Sequence, residues 1–348
     1  MRLVVVLVVL VAVVGCRGHV PSTAGISTGS DFLASAPSDQ ELELGRLAQT
    51  GAHWVRLDLD WEIVQPRGPG DWDWSTYDAL VRMAERQGLE VLAVPIWTPP
   101  WANQGKSLNT PPTDPATYAT LVREAVSRHR AGGAAGTKIR AWEIWNEPNN
   151  PPFWSTAPDA PGYVDLLRHA YFAAKSVDPD SIIITGGLAP NGDLNQDPHN
   201  ARHPVNFLKA MYFSGARNAF DAVAHHPYAP VPFSPLTDTP GSIGWNSFAY
   251  TKTMHDVMTA NGDGWKQIWG TETGPPTGYC PGCVTEQTQV QWLQEEFVQW
   301  RTWAWAGPLF WHAGRDGATG SGVAEQNFGL LHSDFSPKPA FHAAAGIW

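Results

Sequence analysis

Two short segments of this chain each end an apolar run on a glutamate. The run WEIWN precedes Glu147, the run IWGT precedes Glu272, and a proline or glycine follows each glutamate within two residues. An ionisable side chain at the end of an apolar strand is costly to bury unless it is paired or put to use. Two such glutamates indicate paired carboxylate chemistry, which enzymes use most commonly to cleave glycosidic bonds.

A carboxylate pair of this kind must do two different jobs. Cleavage with retention of configuration needs carboxyl groups about 5–5.5 Å apart, one attacking the sugar carbon and the other protonating the leaving oxygen. The nucleophile must stay ionised, which favours charge partners and hydrogen-bond donors around it. Arg56 and the Tyr228 hydroxyl are the candidate donors, and we assign them to Glu272. Asn146, beside Glu147, can bond a sugar hydroxyl near the reacting carbon.

Short apolar segments alternate with longer amphipathic ones along the chain. The predicted strands are residues 25–30, 53–59, 90–96, 139–145, 181–186, 219–225, 267–271 and 308–311. Helical patterns separate them at residues 40–50, 75–87, 115–130, 162–177, 205–213, 246–260 and 285–303. Strands that alternate with helices predict a parallel sheet, and eight of them predict an α/β fold of the (β/α)8 TIM-barrel type. An open doubly wound sheet is the alternative, but no glycine-rich phosphate turn follows the first strand.

Polar and aromatic residues cluster where the predicted strands end. In a parallel barrel those carboxyl ends share one rim, and this rim lines the active site. The set comprises Arg56, Asp58, Asp60, Trp61, Trp97, Trp101, Asn146, Glu147, His225, His226, Tyr228, Glu272, Trp311 and His312. Any single member, such as Asp58 or His312, could be a satisfied structural residue. Chance, however, would scatter the whole set over both rims. The tryptophans favour a groove with several sugar subsites, although loops can also wall off one end of a cleft.

The same residues match a family pattern. The motif Trp-Asn-Glu-Pro around Glu147, the motif His-Pro-Tyr around Tyr228, the later Glu272 and Trp311 together resemble the clan A retaining glycoside hydrolases. Families 39 (xylosidase-like) and 5 (cellulase-like) are the nearest branches, and the resemblance covers about residues 25–311.

The resemblance implies a role for each matching residue. Glu147 would be the acid/base and Glu272 the nucleophile, and Tyr228 would contact the nucleophile. Trp311 would form the floor of the subsite beside the scissile bond. The substrate would be a carbohydrate, bound by these predicted contacts: Asn146, Arg56, His226, Tyr228, Trp311, Trp97 and Trp61. No cofactor and no metal ion is expected.

Three other functions are compatible with parts of this pattern. A barrel that binds carbohydrate without cleaving it would usually lack one of the two carboxylates, and both are present here. An inverting hydrolase would need carboxyl groups about 6.5–9.5 Å apart. A metal-dependent hydrolase would have to use Asp58, Asp60, His225 and His226. Neighbouring strand residues point to opposite faces, so the two histidines could not share one ion without distortion.

Bulk composition limits the class of protein. The chain has 348 residues, of which 43% are hydrophobic, and its formal net charge is −10. Residues 25–348 are therefore long and apolar enough for one barrel domain of the usual ~250 residues or more. The sequence has no cluster of Lys and Arg that could form a phosphate-binding surface, so nucleic acid is not an expected partner. The sequence predicts no oligomeric state.

The beginning of the chain has the pattern of an export signal. Arg2 precedes an apolar stretch of 12 residues, 3–14, which is too short for the ~20 residues that span a bilayer. The ending Val-Val-Gly-Cys resembles a bacterial lipobox, which predicts a lipid anchor on Cys16 and a tether over residues 17–24. An ordinary signal peptide with an incidental cysteine remains the alternative. Either pattern predicts a bacterial exported protein, held in the cell envelope or secreted.

The other two cysteines lie close together. Cys280 and Cys283 enclose a Pro-Gly turn, and the sequence contains no second cysteine pair to complete a zinc site. In an exported protein a small disulfide-closed loop is the favoured interpretation.

Overall fold

Eight parallel β-strands alternate with helices in the part of the chain that the structure describes. The strands are β1 (Ala24–Ser27), β2 (Trp54–Asp60), β3 (Glu90–Ile96), β4 (Ala141–Ile144), β5 (Ile182–Thr185), β6 (Val223–His225), β7 (Ile268–Thr273) and β8 (Ala306–His312). The helices are α1 (Pro37–Ala48), α2 (Trp61–Val64), α3 (Ser75–Arg86), α4 (Pro115–His129), α5 (Ala160–Val177), α6 (Pro204–Phe213), α7 (Ser247–Ala260), α8 (Glu286–Trp300) and α9 (Pro339–Ile347). The predicted α/β class is confirmed.

A computed structural model describes residues 20–29, 31–155, 157–192, 203–229 and 247–348. The predicted export signal, Cys16 and residues 17–19 of the predicted tether lie outside these residues, whereas residues 20–24 of the tether lie within them. Within them, no helix has both the length and the apolar character needed to cross a membrane.

The strands follow one another around a nearly closed barrel. Their order in the sheet is β5-β4-β3-β2-β1-β8-β7-β6, and every pairing between neighbours is parallel. The two end strands meet through a parallel bridge between Ile184 and Ala222. The predicted TIM barrel is therefore confirmed, and the open-sheet alternative is wrong. All carboxyl ends of the strands lie on one rim.

Large aromatic side chains fill the interior of the barrel. Trp54 and Trp269 meet edge to face with ring centroids 5.4 Å apart, and Phe310 lies 6.5 Å from Trp54. Glycines on the neighbouring strands make room for them: a Cβ on Gly25 would lie 2.4 Å from the Phe310 ring, and one on Gly307 would lie 2.3 Å from Trp269. A second apolar layer lies between the strands and the surrounding helices. This packing holds the strand ends in fixed positions.

The structure refines several predicted boundaries. β3 has its predicted bounds, whereas β1 is shorter than predicted and begins at Ala24. The short helix α2 was not predicted. Asp60 starts it by accepting a hydrogen bond of 2.8 Å from the Glu62 N–H, so this aspartate is a helix cap. α9 was not predicted either; it packs on α8 and supplies the helix that follows β8.

Candidate active site

A cavity of about 1090 Å³ opens at the carboxyl ends of the strands. Five of the six polar residues predicted as catalytic or substrate-binding line it: Arg56, Asn146, Glu147, Tyr228 and Glu272. Trp97 also lines it, with its ring 5.7 Å from that of Phe153. The cavity therefore brings together residues from the second, third, fourth, sixth and seventh strand ends, as the sequence predicts.

The two glutamates face each other across this cavity. Glu147 follows β4 and Glu272 belongs to β7. One carboxylate oxygen of each, together with a ring nitrogen of His226, forms a group in which all atoms lie within 4.8 Å of one another. Glu147 is 8% exposed, and the Glu272 side chain is 13% exposed. The pair is sheltered but open to a ligand.

Glu272 is surrounded by groups that stabilise its ionised form. Arg56 donates to Oε1 at 2.7 Å and the Tyr228 hydroxyl donates to Oε2 at 2.9 Å. Burial by itself raises the pKa of this carboxyl. The charges of His226, His312 and Arg56 and the Tyr228 hydrogen bond outweigh burial and lower the pKa to about 2. Glu272 is therefore ionised at neutral pH, which a nucleophile requires.

Arg56 is held in place by a residue that the sequence analysis did not assign. Glu143, fully buried in β4, accepts from Arg56 Nε at 2.8 Å and from Nη2 at 3.1 Å. Nη1 also donates to Ser27 at 3.2 Å, and Nη2 also donates to the Asn146 side-chain oxygen at 2.7 Å. With the bond to Glu272, all five N–H donors of Arg56 are used. Glu143 lies two residues after Ala141 in β4, so both side chains are on the face of the strand that points into the barrel. This spacing was the signal in the sequence that could have identified Glu143.

Glu147 is held in a different way. Oε1 lies 2.9 Å from His226 Nδ1, and Oε2 accepts from Asn150 at 2.7 Å. Its backbone has φ 44°, in the left-handed region that costs a non-glycine residue about 1–3 kcal/mol. The His226 ring reaches this place because residue 187 is glycine: a Cβ there would lie 2.2 Å from His226 Nε2. Packing around the loop after β4 thus fixes the direction of Glu147.

Three predicted substrate contacts need correction. Trp61 and Trp311 are fully buried and belong to the apolar core, and neither lines the cavity. Trp61 donates to Gln65 and packs against neighbouring aromatic rings, because β2 passes directly into α2. His226 is also fully buried, and it bonds to Glu147 instead of lining the cavity. None of the three can contact a sugar in this arrangement.

His312 lies at the position where the sequence suggested Trp311. Strand alternation turns Trp311 outward and His312 inward. His312 lines the cavity, and its Nδ1 lies 4.0 Å from Glu272 Oε2. Its ring packs 5.2 Å from Phe328, a lining residue that the sequence analysis missed.

The metal-dependent alternative is not supported by the histidines. His225 Nδ1 lies 3.1 Å from the Leu188 carbonyl oxygen and Nε2 lies 3.1 Å from the Ser247 hydroxyl, so a neutral ring can donate to the first and accept from the second. It therefore cannot join His226 as a metal ligand without losing one of these hydrogen bonds. Within the described ranges, the group of three side chains that an ion could bridge is Glu147, His226 and Glu272. Arg56 and Tyr228 already occupy both oxygens of Glu272.

The structure joins Cys280 and Cys283 in a disulfide. Gly282, between them, lines the cavity, and a bridge between Thr277 and Val284 closes the base of this loop. The loop is one side of the cavity mouth.

We predict that replacing both cysteines with serine slows turnover less than about threefold. The disulfide closes a very small ring, so its loss should cost about 2 kcal/mol of unfolding free energy and only loosen the mouth. Chemical denaturation and initial rates measure the two effects. A loss of turnover greater than a hundredfold would instead give this loop a direct part in catalysis.

Comparison with known proteins supports the fold assignment. No protein-family model matches the chain. A family 39 glycoside hydrolase from Bacteroides cellulosilyticus WH2 superposes with a TM-score of 0.71 at 23% identity, over 96% of this chain and 64% of that one. A monomeric β-xylosidase from Caulobacter crescentus CB15 superposes at 0.67 and 17% identity, over 94% and 68%. The chain shares the (β/α)8-barrel fold of these two proteins. The predicted resemblance is thus confirmed at the level of the fold.

Two further comparisons widen this picture. GH5_18 from Streptomyces cattleya superposes with a TM-score of 0.68 at 16% identity, over 94% of this chain and 80% of that one. Among curated proteins, a β-amylase of Medicago sativa is 29% identical over 75 residues, 22% of this chain. The match spans only 15% of that β-amylase's length. The chain likewise spans about 64% of the Bacteroides structure, so activity has to be argued from the site.

Proposed function

We propose that this protein is a retaining glycoside hydrolase that cleaves O-glycosidic bonds by double displacement. The observation that carries the proposal is the approach of Glu147 and Glu272 carboxylate oxygens to within 4.8 Å of each other. Retaining enzymes have carboxyl groups about 5–5.5 Å apart, whereas inverting enzymes leave about 6.5–9.5 Å for a water molecule. The short separation favours the retaining mechanism.

The surroundings of the two glutamates support different roles. Glu272 is kept ionised by Arg56 and Tyr228, so it is the nucleophile that attacks the anomeric carbon and forms the glycosyl-enzyme. Glu147 protonates the leaving oxygen and then takes a proton from the water that releases the sugar. Asn146 lines the cavity and is oriented by Arg56, which leaves its amide N–H groups for a sugar hydroxyl. The hydrogen bonds from Arg56 and Tyr228 also fix the orientation of the Glu272 carboxylate, and therefore the direction of its attacking oxygen.

The direct test is the configuration of the first product. A screen of aryl glycosides identifies a cleaved sugar, and proton NMR then follows its anomeric signal during the first minutes of reaction. We expect the first product to keep the anomeric configuration of the substrate. Release of the opposite anomer would show an inverting mechanism, and cleavage of no glycoside or polysaccharide would leave the carbohydrate-binding barrel as the better interpretation.

The charge of the cavity predicts which sugars bind. Among the described residues, the arginines that line the cavity are Arg56 and Arg315, and both are engaged. Arg56 uses all its donors, and Arg315 pairs with Glu43 at 2.9 Å. Asp58 and Glu325 also line it, and neither carboxylate forms an ion pair within the described residues. The uncompensated charge of the described lining is therefore negative, which disfavours an acidic sugar.

We expect neutral glycosides to be cleaved at least about tenfold more efficiently than the matched uronides. Nitrophenyl glucoside and nitrophenyl glucuronide differ only at C6, which is a hydroxymethyl group in the first and a carboxylate in the second, so their kcat/KM ratio measures this selection. Glu325→Gln removes one negative charge from the cavity lining, so the kcat/KM ratio of glucoside to glucuronide should fall. A preference for the uronide would contradict the argument from cavity charge but not the proposed glycosidase activity.

We also propose that the protein is exported and anchored by a lipid on Cys16. The support is the apolar stretch of residues 3–14 and the Val-Val-Gly-Cys ending, both outside the described residues. Expression with a labelled fatty acid tests it: Cys16→Ser should lose the label and leave the protein in the soluble fraction. Equal labelling of both proteins would refute the anchor.

A further inference from the structure

A buried glutamate outside the cavity contacts the strand that carries Glu272. Glu296 lies on the inner side of α8 and is fully buried. Its Oε2 lies 2.8 Å from the Thr273 hydroxyl, and its Oε1 accepts from the indole N–H of Trp292. Thr273 directly follows Glu272 in β7 and is also fully buried. Glu296 therefore contacts the side chain of the residue that follows the proposed nucleophile in the chain.

The Thr273 hydroxyl lies between two acceptors but has one proton. Besides Glu296, the carbonyl oxygen of Pro227 lies 3.2 Å away. A carbonyl can only accept, so Thr273 must donate to Pro227 if that bond is to form. The bond between Thr273 and Glu296 then needs a proton from Glu296. If Glu296 is ionised, Thr273 donates to it instead, and the bond to Pro227 is lost.

This choice matters because of where Pro227 lies in the chain. Its neighbours are His226, which bonds to Glu147, and Tyr228, which bonds to Glu272. The Thr273–Pro227 bond thus connects the end of β7 to the loop after β6. It does so at the residue between the two that bond to the glutamates. The series Glu296–Thr273–Pro227 is a second connection between these strand ends, on the outer side of the barrel.

We propose that Glu296, in its protonated form, is a positioning residue that keeps Tyr228 and His226 in place against the two glutamates. This inference rests on the proposed function. Loss of the Glu296 proton transfers the Thr273 donor away from Pro227, loosens the loop after β6 and weakens the Tyr228–Glu272 bond. The enzyme then becomes less active without any change in the ionisation of the reacting groups.

The surroundings of Glu296 favour the protonated form. Within the described residues no Lys, Arg or His forms an ion pair with it, and the charge acting on it is that of Glu295 on the same helix. The titratable groups on the packed strands, Glu272, His226 and Tyr228, bond among themselves on the cavity side. Burial, opposed by the Thr273 and Trp292 hydrogen bonds, raises the pKa of Glu296 to about 8.

The test follows kcat/KM against pH for the wild type, E296Q and E295Q. The substrate is a dinitrophenyl xyloside or glucoside, whichever is cleaved, because its leaving group needs no protonation and removes the contribution of Glu147. We expect the wild-type value to fall by up to about tenfold between pH 7 and pH 9, since one unit above its pKa about a tenth of a group keeps its proton. E296Q keeps a donor for Thr273 and an acceptor for Trp292, so its profile should stay flat. E295Q, changed at an exposed neighbour, keeps Glu296 and should show the same alkaline loss, displaced to lower pH because the charge of Glu295 no longer raises the pKa of Glu296.

Thermal unfolding gives a readout that needs no substrate. Glu296 ionises near pH 4.5 in the unfolded chain and near pH 8 in the folded one, so ionisation of the unfolded chain reduces wild-type stability over that interval. E296Q has no proton to lose there, and its melting temperature should rise relative to the wild type as pH increases from 4.5 to 8.

The two measurements separate the possible failures. If no glycoside is cleaved but the melting temperatures diverge with pH as expected, the proposed function fails and the protonated state of Glu296 stands. If the wild type cleaves a glycoside and E296Q shows the same alkaline loss, or if the melting temperatures do not diverge, the positioning role is wrong. Thr273→Val, which removes the shared donor, should lower kcat/KM at all pH values and abolish the alkaline loss.

Discussion

Glu272→Gln should lower kcat by at least about 10³-fold and leave the fold intact. The substitution keeps the size of the side chain and removes the charge that attacks the sugar carbon, so no glycosyl-enzyme can form at a useful rate. The measurement is kcat on the best aryl glycoside, with circular dichroism to verify folding. Glu295→Gln, a change of the same type at an exposed site on α8, is the control and should retain activity.

A second measurement shows whether Glu272 carries charge in the folded protein. Burial opposes ionisation, but His226, His312, Arg56 and Tyr228 together lower its pKa to about 2, below the ordinary value of 4.5. A carboxyl with a lowered pKa stabilises the folded state above about pH 4.5, and this stabilisation disappears as the pH falls towards 2. The wild type should therefore melt above E272Q at pH 7, and the difference should shrink below pH 4.5. Normal turnover in E272Q would show that Glu272 is not the nucleophile.

Glu147→Ala should affect substrates according to their leaving group. For a poor leaving group, kcat/KM should fall by about 10²–10⁴-fold, because the departing oxygen now leaves without a proton. For a dinitrophenyl glycoside, kcat/KM should change by less than about tenfold. Release of the sugar also needs Glu147 as base, so kcat and KM should fall together for that substrate.

Azide provides the control for this variant. A small anion can enter the space left by the side chain and attack the glycosyl-enzyme without a base, so azide should restore kcat of Glu147→Ala. The glycosyl azide formed should have the configuration of the substrate. An equal loss for all leaving groups, with no effect of azide, would assign Glu147 to binding or folding instead.

The barrel could be predicted from the sequence because its signals are local. Each strand is a short apolar run and each helix an amphipathic one, so eight alternations identify the topology without knowledge of distant contacts. α2 escaped prediction because it has only four residues and depends on the Asp60 cap. α9 is apolar on average and lies after the last strand, where no further alternation indicated it.

The proposed catalytic pair could also be found in the sequence. Glu147 and Glu272 end apolar runs, and residues at the ends of parallel strands share one rim by the geometry of the fold. The partners Arg56 and Tyr228 followed from the same rule, and both bond to Glu272 in the structure. The position of a residue at a strand end thus carries much of the information about this site.

Only the tertiary structure decided which of the remaining side chains face the cavity. Trp61 and Trp97 both follow a strand, yet Trp61 is turned into the core by α2 and Trp97 lines the cavity with φ 65°. Glu143 and Glu296 lie in ordinary apolar patterns, and their roles come from contacts with Arg56 and Thr273, 87 and 23 residues away. Such contacts depend on the direction of each side chain after packing, and a single sequence specifies strand ends but not rotamers or pairings across the barrel.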